Sequence, residues 1–361
     1  MQIGWGDVYK VVEAMAPLYV ALLLGYGSKR MFKAEECDAI NRFNCYFILP
    51  FFTFHFTASV NPYTFNFRFL AADVVAKAVV GAALVLWCKA GFGFAWAITS
   101  FSLSSFNNTL VVGVPLLKAM YGDAGEHLVI QSSVIQSLLW FPILLCLLEF
   151  RRAKLLSSSS NIHRHINVHT DESVVVANGD HGCTIIDTTA SPFSSSSFCS
   201  TIKIVGMKLR KNPNCYACVL GLVWALLANR WDIVMPPMVD GSIQIMAKAG
   251  SGVAMFTMGL FMALQEKIIA CGVGLSMYGM CLRFVCGPLI TGVSALALGL
   301  RSDILAIVII QAALPQAITC FMFAQEYSLH ANVLSTAVIF GTIASLPLLI
   351  AYYVILDILV H

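Results

Sequence analysis

Along the chain, long apolar runs alternate with short polar breaks, and each run has close to the length that crosses a bilayer. A spanning helix needs about 20 mostly apolar residues. Ten runs qualify, near residues 7–27, 37–59, 69–90, 93–120, 128–150, 214–230, 241–264, 270–299, 303–325 and 331–357. Between the fifth and sixth lies the one long polar stretch, 151–211, with SSSS twice, HRHINVHTDES and ASPF. That is the composition of a largely disordered linker. The pattern predicts an all-α membrane protein of ten transmembrane helices: a five-helix unit at 1–150, the linker at 151–211, and a second unit at 212–361. MQIGWGDVYK has no early basic cluster and its apolar run shows no clear cleavage site, so the N-terminus reads as a first span and not a secretory signal.

An odd number of spans per unit makes the second unit enter from the opposite face, so any internal likeness implies inverted repeats. VIQSLLWFPILLCLLEF (134–150) and VIFGTIASLPLLIAYYVILD (338–357) share a Val-Ile start and a later proline, Pro142 and Pro347. In that register the fourth span pairs with the ninth, and both are interrupted. The fourth carries FNNTLVVGVP (106–115), with Asn107, Asn108, Gly113 and Pro115; the ninth carries QAALPQAITCF (311–321), with Pro315 and Gln316. Pro315 cannot donate to its own helix and frees a carbonyl one turn earlier. Two interrupted helices at matched positions point to a transporter's midplane site, because broken backbone at that depth must face protein or a water-filled cavity. Kinked helices packed through small residues are the plainer reading of either break alone. Asn107-Asn108-Thr109 also spells a glycosylation sequon, at a depth that excludes modification.

Composition fits lipid as the solvent. Apolar and aromatic residues make up 58% of the 361 residues and charged ones 11%, against about 25% charged in a water-soluble domain. Mean hydropathy is +0.80. A net charge of +3 leaves no nucleic-acid footprint. Fourteen of the Lys and Arg residues fall on the linker's side of the spans and five on the other, which places the linker in the cytosol. The 12 cysteines are scattered, so no disulfide framework is expected, and Cys215 and Cys218 lack the second pair of a zinc site. No metal or other cofactor is expected.

These residues resemble the PIN-type auxin efflux carriers of plants. The likeness is carried by VYKVVEAMAPLYVALLLGYGS (8–28), AINRFNCYFILPFFTF (39–54), NTLVVGVPLLKAMYGD (108–123), VIQSLLWF (134–141) and NPNCYACVLGLVWAL (212–226). It continues in GVAMFTMGLFMALQ (252–265), IIQAALPQAITCFMFAQEYSLH (309–330) and STAVIFGTIASLPLLIAYY (335–353). The resemblance implies two inverted five-helix repeats with broken, crossing helices 4 and 9, an elevator fold of the bile-acid-symporter/NhaA-like kind. It implies a scaffold of helices 1, 2, 6 and 7, which forms a homodimer, and a transport domain of helices 3–5 and 8–10. The implied cargo is auxin, the indole-3-acetate anion. The linker of about 60 residues lacks the TPRxS-type motifs of long-loop members, which aligns the chain with the short-loop members of the endoplasmic reticulum membrane; the plasma membrane is the alternative.

Auxin is an apolar plate bearing a carboxylate. Free N–H groups and positive dipole ends at the second halves of the broken helices suit such an anion. Asn108 adds side-chain amides and matches the family's substrate-contacting Asn. By the same matching Gln136, Ile318, Leu49, Thr53 and Phe141 line the site, although plain core packing would also explain Leu49, Ile318 and Phe141. Where the family usually has proline before the crossing Asn, this chain has Asn107, which leaves the sharpness of the break open. Asp73 and Lys77 share a helix face four residues apart and match a pair that the resemblance makes proton-sensitive; a structural ion pair is the alternative. Lys248 and Arg283 read as snorkelling or packing residues, with a place in the anion path second. His55 reads as packing. NPNCY (212–216) suits a helix start and resembles a trafficking element, while His163, His165 and His169 read as a solvated patch. A cation-coupled symporter or antiporter of organic anions shares the broken-helix plan, yet FNNTLVVGVP and QAALPQAITC hold no carboxylate. An enzyme would need a nucleophile and base at depth, and the spans offer no convincing set.

Overall fold

The computed structural model describes residues 4–91, 93–168, 203–204, 206–207, 212–265 and 271–360. Among them the secondary structure is helical. The first unit contains α1 (Trp5–Gly27), α2 (Ala34–Phe43), α3 (Leu49–Ser59), α4 (Phe67–Lys89), α5 (Phe94–Ser105), α6 (Val114–Ile135) and α7 (Phe141–Val168). The second contains α8 (Pro213–Trp231), α9 (Pro237–Leu264), α10 (Val273–Cys281), α11 (Gly287–Ala297), α12 (Ser302–Ala312), α13 (Ile318–Glu326) and α14 (Ala331–Val360). Wide π-turns at Asn44–Ile48, Gln136–Trp140 and Leu282–Cys286 join α2 to α3, α6 to α7 and α10 to α11; a fourth, Thr109–Gly113, leads into α6.

Local chemistry sets these boundaries. Asn66 Oδ1 accepts from Phe69 N at 3.0 Å to start α4, and Asn212 Oδ1 accepts from Asn214 N at 3.0 Å to start α8. Prolines at the first turns of α8 and α9 cost no hydrogen bond there. Gly122, at φ 63°, makes the turn that separates the expected fourth and fifth spans within α6. Six segments are long and apolar enough to cross a membrane by themselves: Trp5–Arg30, Phe67–Lys89, Thr109–Leu155, Pro237–Leu264, Val273–Ala297 and Ala331–Leu359. The expected fourth and ninth spans fail that measure because each is cut in two. α7 continues to Val168, past residue 150 where the fifth span was expected to end. The rest of the expected linker, with His169, lies outside the described residues apart from 203–204 and 206–207.

Packing divides the helices into two groups. In the first, α1 lies along α9, and α3 lies against both α8 and α9. α1 and α9 touch backbone to backbone: a Cβ on Gly259 would fall 1.9 Å from Leu22 O, and one on Gly25 would fall 2.0 Å from Phe256 O. Between apolar helices in lipid, such glycine contacts replace the hydrophobic drive with close dispersion contact. In the second group α4 packs on α5 and α11, α12 on α11 and α6, and α14 on α10, α12 and α13. The groups meet where α1 crosses α6 and α14. There Tyr19 Oη donates to Thr342 O at 2.9 Å.

Candidate functional site

The two breaks come together as an antiparallel backbone bridge between Asn107 and Gln316. Asn108 N donates to Pro315 O at 2.9 Å, and Ala317 N donates to Phe106 O at 3.2 Å. Both breaks are therefore short non-helical segments, 106–108 and 315–317, with Phe106 and Ala317 extended and the two segments tied to each other. Each then hands a side chain to the opposite helix. Asn107 Nδ2 donates to Gln311 O at 2.7 Å, the carbonyl to which Pro315 cannot donate and which also accepts from Leu314 N at 3.2 Å, and Gln316 Nε2 donates to Ser102 O at 3.0 Å. Pro115, expected at the crossover, sits at the start of α6, beyond the Thr109–Gly113 turn and outside the bridged residues. Gln316 is buried away from the cavity described below.

Asn107 settles the departure from proline. Its N–H donates to Gln136 Oε1 at 3.1 Å and its carbonyl accepts from Gln136 Nε2 at 2.7 Å. A proline there would lack the donor and the capping amide. The fourth span is broken without one because these polar contacts hold the non-helical residues in place.

A cavity of about 1120 Å³, counted to its open mouth, lies between the two helix groups and ends on this crossing. It brings together Asn107, Asn108, Gln136, Leu49, Thr53, Phe141 and Ile318, all expected at the site. Phe52, Met258 and Phe261 add apolar wall. Phe141 stacks on buried Phe106 at 5.2 Å between ring centroids. At the crossing, Asn108 Nδ2 is buried and has no hydrogen-bond partner among the described residues. The first amides of the following helical turns likewise have no partner within their own helices. A vestibule that shares Leu49, Ser137, Phe141, Asn214 and Met322 continues toward Asn212 at the start of α8.

Asp73 and Lys77 form a buried ion pair at 2.8 Å, and Lys77 Nζ lies 5.6 Å from the Trp140 ring centroid. They stand on the far side of the crossing, around a small void shared with Ser104, Ser105, Asn107 and Thr291. They do not line the main cavity. Of the two readings given for Arg283, snorkelling or packing, the structure excludes the first: the side chain is fully buried and donates to the crossing itself. Lys248 is exposed on α9, and His55 packs edge-on against Phe56, outside the cavity.

Sequence reasoning missed Asn214. Its Oδ1 accepts from Thr53 Oγ1 at 2.5 Å, which ties the NPNCY helix start to the cavity wall. Thr257, Ser137 and Asn41 also line the cavity. Polar residues in otherwise apolar helices were the available signal, but it does not say which face they occupy.

Residues 10–353 match the family model described as membrane transport protein. The chain is 51% identical to auxin efflux carrier component 5 of Arabidopsis thaliana, over 98% of this chain and 99% of that one. It is a member of the PIN-type auxin efflux carrier family. It is also 52% identical to the probable auxin efflux carrier component 5c of Oryza sativa subsp. japonica, over 98% and 99% of the two chains. Identity to Arabidopsis auxin efflux carrier component 8 is 39%, over 98% and 100%. Alignment across nearly the whole of these chains agrees with the short-loop resemblance seen in the sequence. Members of this family are transporters, and no catalytic activity is indicated for the chain.

Proposed function

We propose that the chain carries the auxin anion indole-3-acetate across a membrane by alternating access. The observation that carries this reading is the partnerless Asn108 amide at the end of a cavity walled by Leu49, Phe52, Phe141 and Ile318. A carboxylate accepts from that amide and from the helix-start N–H groups, while the indole lies against the apolar walls. Holding the anion with dipoles, without a salt bridge, keeps release possible. The names of the relatives point to the same cargo.

The ten-span reading pairs α2 with α3, α10 with α11, and the two halves of each broken helix. The reciprocal caps, Asn107 to Gln311 and Gln316 to Ser102, are what inverted repeats would produce. In this reading the group of α1–α3, α8 and α9 is a homodimeric scaffold, and the other group slides past it as an elevator. The short 151–211 linker supports residence in the endoplasmic reticulum membrane and a role in intracellular auxin homeostasis, with delivery from cytosol to lumen. Imaging of tagged protein against reticulum and surface markers tests the compartment.

The second reading is a cation-coupled organic-anion carrier. Buried Asp73, beside Ser104, Ser105 and Thr291, is the observation in its favour; Lys77 Nζ at 2.8 Å from that carboxylate is the one against. Purified protein in liposomes with labelled indole-3-acetate separates the two. The expected outcome is uptake in the wild type, indifferent to imposed sodium or proton gradients, and loss in Asn108→Ala with an unchanged elution profile. Uptake unaffected by Asn108→Ala and Gln136→Leu overturns the site; gradient-driven uptake favours the coupled reading.

A further inference from the structure

Arg283 lies on the π-turn between α10 and α11 and is fully buried, at 1% exposure. A guanidinium has five N–H donors and stays charged in proteins. Here all five meet uncharged oxygens: Nε donates to Leu314 O at 2.5 Å, Nη1 to Leu103 O and Phe106 O at 3.2 Å each, and Nη2 to Ala312 O at 3.0 Å and to Asn107 Oδ1. Among the described residues no ion pair includes Arg283. The nearest ion pair at the crossing, Asp73 with Lys77, is neutral as a unit.

The four carbonyls belong to the ends of α5 and α12 or the residues just past them, where a helix presents its negative pole and unpaired C=O groups. One side chain therefore caps both first half-helices at once. Where four half-helix ends meet, two negative poles would cancel two positive ones, and an anion would gain little from the arrangement. With Arg283 on the negative pair, the positive starts of the turns after Asn108 and Ala317 act on the cavity without opposition.

We propose that Arg283 is the specificity-determining cation of this site: it neutralises both negative half-helix ends and so makes the crossing prefer an anion to a neutral isostere. It touches no ligand and acts through Asn107 and the capped carbonyls, so it is a positioning residue. This inference rests on the auxin-anion reading above.

The test compares binding of indole-3-acetate and of its uncharged amide, indole-3-acetamide, to purified full-length protein by calorimetry. The wild type is expected to prefer the anion. Arg283→Gln is expected to lose about tenfold of that preference, the order of effect of one unit charge at intermediate distance and effective dielectric. A purely structural role would weaken both ligands equally and leave the ratio alone. Arg283→Lys keeps the charge but offers three donors to five oxygens; it is expected to unfold at lower temperature while keeping the ratio within about threefold of wild type. Arg283→Gln with the wild-type ratio overturns the inference alone. If that variant does not fold, an Arg283→Lys protein that has lost the preference overturns it. A wild type that binds neither ligand overturns the auxin reading and this inference with it.

Discussion

Asn107 shows how much one residue can do in a dry crossing. Its backbone serves Gln136, its amide caps Gln311 and its side-chain oxygen accepts from Arg283. Removing the side chain takes one of two donors from the Gln311 carbonyl and strands one donor of a buried cation. Asn107→Ala is therefore expected to destabilise the protein by about 2–4 kcal/mol, read as a fall in melting temperature in detergent. His330 belongs to the same scale outside the apolar spans. It sits at φ 45°, its Nδ1 lies 2.8 Å from Thr99 Oγ1, and its ring stacks on Trp96 at 4.0 Å. Burial first, then the Arg151 cation, holds its pKa below the ordinary 6.5. A group whose folded pKa is depressed binds fewer protons when folded. The stability tied to it is full above pH 6.5 and is lost as the pH falls through the lowered value. Asn tolerates the left-handed backbone, so His330→Asn should give a melting temperature that falls less than wild type between about pH 7 and pH 5.

At the level of elements, close approach is decided by where side chains are missing. α1 and α9 contact each other through Gly25 and Gly259, where even a methyl group would overlap a carbonyl. Gly259→Ala must push the helices apart and is expected to cost about 2–3 kcal/mol, checked by thermal unfolding; Gly252→Ala, on the same helix with open space around it, is the control. The broken spans illustrate the converse. FNNTLVVGVP and QAALPQAITCF disclosed that helices would stop there, because proline and clustered amides cannot be left unsatisfied at depth. They did not disclose that Asn107 and Gln316 would cap the opposite helices, or that Pro115 would fall in the next helix. Spacing along one chain carries no information about which carbonyl another chain segment presents.

For the whole molecule, the proposed function gives the arrangement of two groups around a cavity the task of moving a bound anion. Tyr19 ties α1 to α14 across their boundary through Thr342 O at 2.9 Å and Ser345 Oγ at 3.1 Å. If the groups slide, this bond belongs to one arrangement only. Tyr19→Phe should then shift the balance between arrangements by about 1 kcal/mol. Transport rate in liposomes is expected to change roughly fivefold while indole-3-acetate affinity at equilibrium changes far less. An unchanged rate would mean the contact survives the cycle.

The sequence by itself determined the solvent, the helical class, the position of the two interruptions and the family. Each follows from local quantities: run length, charge density, proline and amide placement, and motifs in linear order. It also named part of the cavity lining, through the family likeness and not through periodicity. Only the tertiary structure decided that Arg283 is buried in the crossing, that Asn214 reaches Thr53, and that Asp73 and Lys77 stand behind the site. Those facts depend on contacts between residues up to 180 positions apart, and an apolar run looks the same whether it meets lipid, another helix or a ligand.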